Sequence, residues 1–332
     1  MRFAAIVLAA AGLLLTAFAP APAPGYHLEA KVALPDGGWD LASFDAATGR
    51  VYLARTDALD ALDVASNQVS KLAPATRGHA AVAINGGAEV LLTDGGTDMA
   101  RIFDAKSGAQ VAAIPTGKSP DAALLDPASG LALVMNARSG EVTLIDPKTH
   151  AAVGKIEVGG SLELAAADGK GRVFLNVEDK NELVVLDIKG RTAKHVALAG
   201  CDGPTGIAYL ALSHRVLSAC ANGVAILTDA TTLKSAGSLA IGKGPDTALY
   251  DPVRHRALVP CGRSGDLWVF EDSAKGVKPL GAVPTQVGAR TAALDPKSGR
   301  VYLPAADYGP PATPGGRAPI KPGSVVMVVM AP

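Results

Sequence analysis

Short apolar runs alternate with turn-forming sequences along the chain, and the clearest example spans residues 117–159. Its apolar runs AALL, LALVM, VTLI and AVGKIEV are separated by DPASG at 126–130, RSG at 138–140 and DPKT at 146–149. Runs of this length between Gly, Pro, Asp and Ser are typical of antiparallel strands joined by tight turns. The stretch therefore predicts a four-stranded meander, which needs copies of itself to cover its two apolar faces.

The rest of the chain supplies these copies. The first turn of each unit recurs at intervals of 40 to 44 residues, beginning at Asp45, Asn85, Asp126, Asp168, Leu210, Asp251 and Asp295. The second strand recurs as VYLA at 51–54, VLLT at 90–93, ALVM at 132–135, VFLN at 173–176, VLSA at 216–219, ALVP at 257–260 and VYLP at 301–304. Seven such units predict an all-β fold, a seven-bladed β-propeller of four-stranded antiparallel blades.

The pattern also predicts how the ring closes. A single domain over residues 25–332 would hold blades near 36–74, 75–117, 118–159, 160–200, 201–242, 243–284 and 285–332. The last unit supplies three strands, and HLEAKVAL at 27–34 matches the fourth strands KIEV and SLAI of other units. We therefore expect residues 26–34 to complete the last blade.

The unit SPDAALLDPASGLALVMNARSGEVTLIDPKT, with LVMN at 133–136, resembles the YVTN repeat of YncE-like seven-bladed propellers. The resemblance covers residues 26–331 and implies a WD40-like repeat architecture. Such propellers include binding proteins and, more remotely, the large subunits of quinoprotein amine dehydrogenases. One unit keeps the asparagine of the motif, since its last position is occupied by Arg55, Asp94, Asn136, Val177, Cys220, Cys261 and Ala305.

The first residues resemble an export signal. Arg2 precedes an apolar run at 3–19, and small-residue cleavage sites follow at 17–19 and 21–23. This pattern predicts a signal peptide over residues 1–24 and a periplasmic or secreted protein. An uncleaved anchor is the alternative, although the run is short for a membrane span. After cleavage we expect no membrane association and a monomer.

Charge and cysteine content refine this picture. Lys plus Arg and Asp plus Glu both total 31, so no excess of positive charge indicates a nucleic-acid partner. Cys201 precedes the inner strand of the fifth unit, and Cys220 ends its second strand. These positions lie at the same end of adjacent strands, which predicts a Cys201–Cys220 disulfide and leaves Cys261 free. A cysteine metal cluster is the alternative, but the chain has no CxxC motif.

Most recurrent acids are predicted to be structural. An acid follows the third strand of most units, often three residues before Ser or Thr, as at Asp63, Asp104, Asp146, Asp187, Asp229 and Glu271. Asp126 and Asp295 begin similar Asp-Pro turns. Side chains of this type accept hydrogen bonds from turn backbone, so we expect them to cap turns.

A different set of polar residues is predicted to meet at one mouth of the axial channel. The residues five positions before the first-turn anchors are Asp40, Asp121, Glu163, Thr205, Asp246 and Arg290, with His79 one position out of register. Trp39 precedes Asp40 and is expected to stack on a ligand there. The carboxylates Asp40, Asp121, Glu163 and Asp246 are candidate ligands for a divalent cation, either Ca²⁺ or, if His79 takes part, Zn²⁺ or Mn²⁺. The alternative is a wide, wet channel in which the acids cap loop amides.

The last unit carries a long insertion at 305–323, AADYGPPATPGGRAPIKPG, between its second and third strands. Strand direction places this loop on the face that carries the predicted ring. A loop of this length in a compact fold is often functional. We expect it to overhang the mouth as a lid, and a surface flap without a partner is the alternative.

The sequence favours a binding or scaffolding protein that uses the channel-mouth face for a small ligand or a protein partner. The motifs GxSxG, HExxH, CxxCH and GxxxxGK[ST] are absent. Two alternatives stay open because propeller enzymes assemble sites from separate blades: a metal-dependent hydrolase or lactonase using the carboxylate ring, and a partner subunit of a periplasmic redox enzyme. Beyond a possible divalent cation, no cofactor is predicted.

Overall fold

Seven four-stranded antiparallel sheets make up the part of the chain that the computed structural model describes, residues 25–311, 313, 316 and 318–332. The predicted seven-bladed propeller is confirmed. The predicted signal peptide lies outside the described residues. Among those residues, no helix has the length and apolar character needed to cross a membrane.

The strands follow the repeat unit by unit. The first strand is β1 (His27–Ala33). Blade 1 contains β2 (Trp39–Asp45), β3 (Arg50–Arg55), β4 (Ala58–Asp63) and β5 (Gln68–Pro74). Blade 2 contains β6 (Gly78–Ile84), β7 (Glu89–Asp94), β8 (Met99–Asp104) and β9 (Gln110–Pro115). Blade 3 contains β10 (Pro120–Leu125), β11 (Ala132–Asn136), β12 (Glu141–Asp146) and β13 (Ala151–Glu157). Blade 4 contains β14 (Leu162–Ala167), β15 (Arg172–Val177), β16 (Glu182–Asp187) and β17 (Thr192–Ala197).

Blade 5 contains β18 (Pro204–Leu210), β19 (Arg215–Cys220), β20 (Val224–Asp229) and β21 (Ser235–Ala240). Blade 6 contains β22 (Leu249–Asp251), β23 (Arg256–Cys261), β24 (Asp266–Ser273) and β25 (Gly276–Pro284). Blade 7 contains β26 (Ala293–Leu294), β27 (Val301–Ala305) and β28 (Val326–Ala331). Short 3-10 turns occur at Asn85–Gly87 and Glu178–Lys180.

Blade 7 is completed by the first strand of the fold. β1 pairs antiparallel with β28 from His27 opposite Ala331 to Ala33 opposite Val326, giving the sheet order β1-β28-β27-β26. This confirms the predicted closure. Tyr26 supports it, because its side chain is buried and its hydroxyl donates a hydrogen bond to the Gly299 carbonyl at 3.2 Å.

The core lies between neighbouring blades and is built from their two middle strands. Every residue of β11 is buried, whereas β13 at the outer edge is mostly exposed. Between blades 3 and 4, for example, Leu133 and Val142 belong to the same apolar cluster as Val173 and Leu175. Burial of such side chains contributes ~1.5–3 kcal/mol each, so each blade depends on its neighbours for its stability.

All the predicted acids except Glu271 cap turns, as expected. Asp126 accepts hydrogen bonds from the Ser129 backbone at 3.0 Å and hydroxyl at 2.6 Å. Asp104 does the same with Ser107, at 2.7 Å to each group. Blade 6 differs. The side chain of Glu271 makes no hydrogen bond among the described residues, so the turn-capping role predicted for it is not seen. Instead, the neighbouring Asp272 accepts hydrogen bonds from the backbone of Leu212 and Ser213 in blade 5. These turns keep the acids away from the channel.

Cys201 and Cys220 are joined by a disulfide, and Cys261 is a buried free cysteine. The bond links the segment that enters blade 5 to the end of β19. It closes a loop with a sequence separation of 19 residues, for which loop-closure entropy corresponds to about 3 kcal/mol of stabilisation.

A buried ion pair fixes blade 1 to the segment that follows β1. Arg55 is 2 % exposed, and its Nη1 lies 3.2 Å from Asp60 Oδ2. The same guanidinium donates to the carbonyls of Pro35 at 2.6 Å and Asp36 at 2.5 Å. Burial raises the pKa of Asp60, and the charge of Arg55 opposes this effect. Arg55 therefore neutralises a buried acid and holds the closing segment in place.

Replacing Arg55 with Met is expected to lower the free energy of unfolding by about 3–5 kcal/mol, because the buried Asp60 loses its cation. The double variant Arg55→Met with Asp60→Leu should recover much of this loss. Urea-induced unfolding measures both. Lys155→Met, which removes an exposed ion-pair partner of Glu141, is the control and should cost under about 1 kcal/mol; equal losses in Arg55→Met and Lys155→Met would contradict the assignment.

The disulfide makes a separate prediction about thiol content. Protein produced in an oxidising compartment and unfolded without reductant should show one reactive thiol per chain, from Cys261, and three after reduction. Titration with a thiol reagent gives the count directly. Three thiols in the unreduced sample would show that the bond does not form.

Candidate ligand site at the channel mouth

The innermost strands of the first five blades share a local irregularity at the mouth. Their pairing with the second strand shifts between Trp39 and Ala42, and the same shift recurs at 78–81, 120–122, 162–165 and 204–207. A β-bulge of this kind takes residues out of the ladder and re-aims their side chains. The residues within the shifts include five predicted ring members, Asp40, His79, Asp121, Glu163 and Thr205.

Three of these side chains converge on one point. His79 Nδ1 lies 2.6 Å from Asp40 Oδ2 and 3.2 Å from Asp121 Oδ1. Within the described residues, these three form the group whose donor atoms lie close enough together to hold a metal ion. We call this group, Asp40, His79 and Asp121, the triad. Its members come from blades 1, 2 and 3, so ring geometry brings them together.

The triad is polar but largely shielded from solvent. Burial lowers the pKa of His79, but its hydrogen bond to Asp40 and the charge of Asp121 outweigh burial and raise that pKa above its usual value. Burial raises the pKa of Asp121 to about 6; the charge of Asp40 adds to this effect and the charge of His79 opposes it. His79 therefore holds its proton more firmly than an ordinary histidine, and Asp121 accepts a proton more readily than an ordinary aspartate.

Asp246 and Arg290 form a second pair on the ring. Arg290 Nε lies 2.6 Å from Asp246 Oδ2, and Arg290 Nη2 lies 3.7 Å from Asp40 Oδ1. Burial raises the pKa of Asp246 to about 6, which the Arg290 charge opposes and the Asp40 charge favours. Asp246 is thus committed to Arg290 and is not part of the group with metal-binding spacing.

Glu163 faces carboxylates without a cationic partner. No hydrogen bond or ion pair of its side chain occurs within the described part of the chain. Burial, together with the charges of Asp121, Asp246 and Glu178, raises the pKa of Glu163 to about 10. Glu163 is therefore protonated at neutral pH.

The side chains of the two remaining predicted residues, Thr205 and Trp39, make structural contacts. Thr205 is 9 % exposed, and its hydroxyl donates to the Pro245 carbonyl at 3.1 Å, which ties blade 5 to blade 6. Trp39 is 7 % exposed and packs in a core cluster with Leu53 and Val325. Little of its ring is left for stacking on a ligand.

A cavity of about 540 Å³ opens beside the triad. It is lined by Gly38, Trp39, Asp40, Thr56, Arg77, Gly78, His79, Arg290, Ala318, Pro319 and Ile320. A smaller cavity of about 380 Å³ shares Arg290 with it and is also bordered by Asp246, Glu178, Thr205 and Arg263. Arg290 thus forms a wall between two cavities.

The insertion of blade 7 contributes the outer wall of the larger cavity. Its base is held by antiparallel pairing of Tyr308 with Ile320 and by a 2.8 Å hydrogen bond from the Gly309 amide to the Pro319 carbonyl. The Lys321 amide donates to the Asp307 carbonyl, also at 2.8 Å. Residues 318–320 therefore reach the cavity from an anchored stem. Arg317, another polar residue of the insertion, lies outside the described residues.

Arg77 was not among the residues predicted for the site. It precedes β6, has a positive φ of 60°, and lines the cavity two residues before His79. Its guanidinium makes no ion pair within the described residues. The sequence signal for Arg77 is its place in the segment just before an inner strand, outside the single register position that was compared between units. Glu178 and Arg263 also lie outside that position, because each follows a second strand that ends on this face.

Comparison with known proteins supports the fold alone. No protein-family model matches the sequence, and no curated protein matches it. A chain of the crystal structure of a mitotic checkpoint complex aligns with a TM-score of 0.71 and 13% identity over 100% of this chain and 99% of that chain. A chain of hydrazine synthase from Kuenenia stuttgartiensis aligns with a TM-score of 0.69 and 11% identity over 81% and 94%. At such identities, the similarity carries no statement about a ligand or reaction.

Replacing Glu163 with Gln is expected to stabilise the protein at pH 8. The folded state keeps the Glu163 proton up to a pKa of about 10, whereas the unfolded state loses it near the ordinary glutamate pKa of 4.5. The free energy of unfolding therefore falls as pH rises between these values. The variant lacks this loss and should be at least ~1 kcal/mol more stable at pH 8, with little difference near pH 4.

Urea-induced unfolding at both pH values checks this expectation. The control is Glu157→Gln, which alters a carboxyl that is 69 % exposed and should change stability by less than about 0.5 kcal/mol. A Glu163→Gln variant that is less stable than the parent at pH 8 would contradict the predicted unfavourable environment of Glu163.

Proposed function

We propose that this propeller is an exported binding protein that holds a small charged ligand in the larger mouth cavity. The observation that carries the proposal is the composition of the cavity wall, in which ring residues Asp40, His79 and Arg290 face residues 318–320 of the insertion. The volume of about 540 Å³ lies within the 300–1,000 Å³ common for small-molecule sites.

The charges of the wall favour a ligand with charged groups. Arg77 offers a guanidinium that makes no ion pair with the described residues, which suits a carboxylate or phosphate group. Asp40 adds a negative charge to the same wall, and the neighbouring Arg290 already pairs with Asp246. Trp39 and Ile320 add apolar surface. A ligand that carries an anionic group beside a cationic or hydrogen-bonding group matches this wall.

Two features support the proposals that the protein is exported and that it belongs to the YVTN family. The disulfide between Cys201 and Cys220 is of a kind that persists in oxidising compartments, in agreement with the export signal expected at 1–24. Membership of the YVTN family rests on the resemblance of the repeat unit that holds Asn136, whose Nδ2 donates to the Glu141 carbonyl at 2.8 Å and to Thr143 Oγ1 at 2.9 Å. In blade 3, this asparagine therefore joins the second strand to the third.

A metal-dependent hydrolase is the second candidate, because the triad places one nitrogen and two oxygen donors beside the cavity. Hydrolysis by this route requires that an ion binds at the triad. The next subsection addresses that requirement separately from ligand binding.

Shortening the insertion tests the binding proposal. Residues 309–319 are replaced by two glycines, which leaves Tyr308 and Ile320 to flank a two-residue turn as their pairing allows. Thermal-shift screening against amino acids, dicarboxylates, sugar phosphates and polyamines identifies a ligand for the parent protein, and calorimetry then measures affinity. We expect a loss of at least tenfold in the shortened variant.

Leu212→Ala provides the control, because Leu212 is exposed in the first turn of blade 5, at the other end of the propeller. It should leave the affinity unchanged. Equal affinity in the parent and the shortened variant would show that the insertion does not cover the site. A screen without any ligand from these classes would count against a small charged ligand.

A further inference from the structure

We infer that Asp40, His79 and Asp121 bind one divalent transition-metal ion, with Zn²⁺ and Mn²⁺ as the fitting chemical class. The inference deepens the proposed function, because the ion would lie at the wall of the same cavity and supply part of the ligand site. It narrows the carboxylate ring expected from the sequence to two carboxylates and one imidazole.

The distances in the triad suit an ion after a small adjustment. The donor His79 Nδ1 is 2.6 Å from one carboxylate oxygen and 3.2 Å from the other. An ion bound at about 2.0–2.2 Å from each donor keeps donor atoms roughly 3 Å apart. The ion would take the place of the shared proton, and the His79–Asp40 pair would separate by well under about 1 Å.

The backbone at each donor is built to present the side chain. All three residues lie in the bulges at the start of β2, β6 and β10, so none is constrained by a regular ladder. The main chain at two of them is fixed across blades: the Thr291 hydroxyl donates to the Asp40 carbonyl at 2.9 Å, and the Thr93 hydroxyl donates to the Asp121 carbonyl at 3.2 Å.

The imidazole is seated by close packing. A methyl group at Gly95 would lie 2.7 Å from His79 Cδ2 and 2.9 Å from Nε2. The absence of a side chain at residue 95 therefore makes room for the ring in its present place. Nε2 is buried and has no hydrogen-bond partner within the described residues, so packing positions the ring and Nδ1 remains directed at the two carboxylates.

Further coordination positions would open toward the cavity. Asp40 and His79 line it, so water or a ligand atom can complete the coordination sphere, as at metal sites with three protein ligands. Trp39 independently indicates that the described part of the wall lacks a hydrogen-bond acceptor. Its side chain is 93 % buried at the edge of the same cavity, and its indole N–H has no acceptor within the described residues.

The charges and donor types decide the class of ion. Arg290 is held by Asp246, and Glu163 keeps its proton, so the carboxylates of Asp40 and Asp121 remain for a cation beside His79. An imidazole nitrogen with two carboxylate oxygens suits Zn²⁺ or Mn²⁺, whereas Ca²⁺ requires six to eight oxygen ligands.

Titration of the metal-free full chain with ZnCl₂, MnCl₂ or CaCl₂ in calorimetry tests the inference. The protein is first treated with a chelator and exchanged into metal-free buffer. We expect one Zn²⁺ or Mn²⁺ per chain with a dissociation constant in the micromolar range or below, and at least tenfold weaker binding of Ca²⁺. Asp121→Asn and His79→Ala should each weaken binding of the transition metal at least tenfold.

Glu178→Gln is the matched control, since it removes one carboxylate charge from the same face without removing a triad ligand. It should bind the ion within about twofold of the parent. Circular dichroism in metal-free buffer checks that each variant is folded. If Asp121→Asn or His79→Ala does not fold, the Co²⁺ absorption spectrum of the parent decides the point, because a bound imidazole nitrogen shifts its visible bands.

Two results would overturn the inference: no stoichiometric binding of Zn²⁺ or Mn²⁺ up to about 1 mM, or binding that Asp121→Asn and His79→Ala leave unchanged. The shortened insertion variant separates this test from the binding proposal. It retains the triad and should still bind the ion, although it loses the small ligand. Conversely, if no ion binds but a small ligand binds to the chelator-treated protein, the metal inference fails and the binding proposal stands.

Discussion

The pairing of β1 with β28 is the interaction on which the rest of the structure depends. It completes blade 7 with a strand from the other end of the described chain and so converts seven sheets into a closed ring. The mouth cavity depends on that closure, because its wall joins residues 318–320 of blade 7 to blade 1. Arg55 strengthens the same region by holding the segment between β1 and β2 against a buried acid.

The mouth of the channel contrasts with the rest of the surface in its electrostatics. Elsewhere, acids such as Asp104 and Asp126 sit in turns that satisfy them with backbone and hydroxyl donors. At the mouth, Glu163 has no donor among the described residues, and its proton is retained because burial, and then the neighbouring carboxylates, make ionisation unfavourable. Such an arrangement lowers stability at neutral and alkaline pH. Residues kept in an unfavourable environment are found at functional sites more often than in purely structural ones.

The sequence predicted the fold in detail because its information is local and repeated. Apolar runs separated by Asp-Pro and Ser-Gly turns give each meander, and the match of 27–34 to other fourth strands gives the closure. The candidate site was predicted in outline: the position of Asp121 after Pro120 led to its counterparts in other blades. Its internal pairing was not predictable, since Arg290 meets Asp246 and His79 meets Asp40 only through the three-dimensional ring. Arg77 lies outside the repeated register, so comparison of units passed over it.

The bulges that recur in blades 1 to 5 separate two roles within each of those inner strands. Residues after the bulge pair in regular register with the second strand and hold the blade together. The mouth residue within the bulge lies outside this pairing, so its side chain does not affect the register. A substitution at one mouth position therefore changes the chemistry of the channel while the sheet that carries it is preserved. The mouth residues of blades 1 to 5 can therefore change independently of one another, and a propeller of this design can acquire a new specificity one blade at a time.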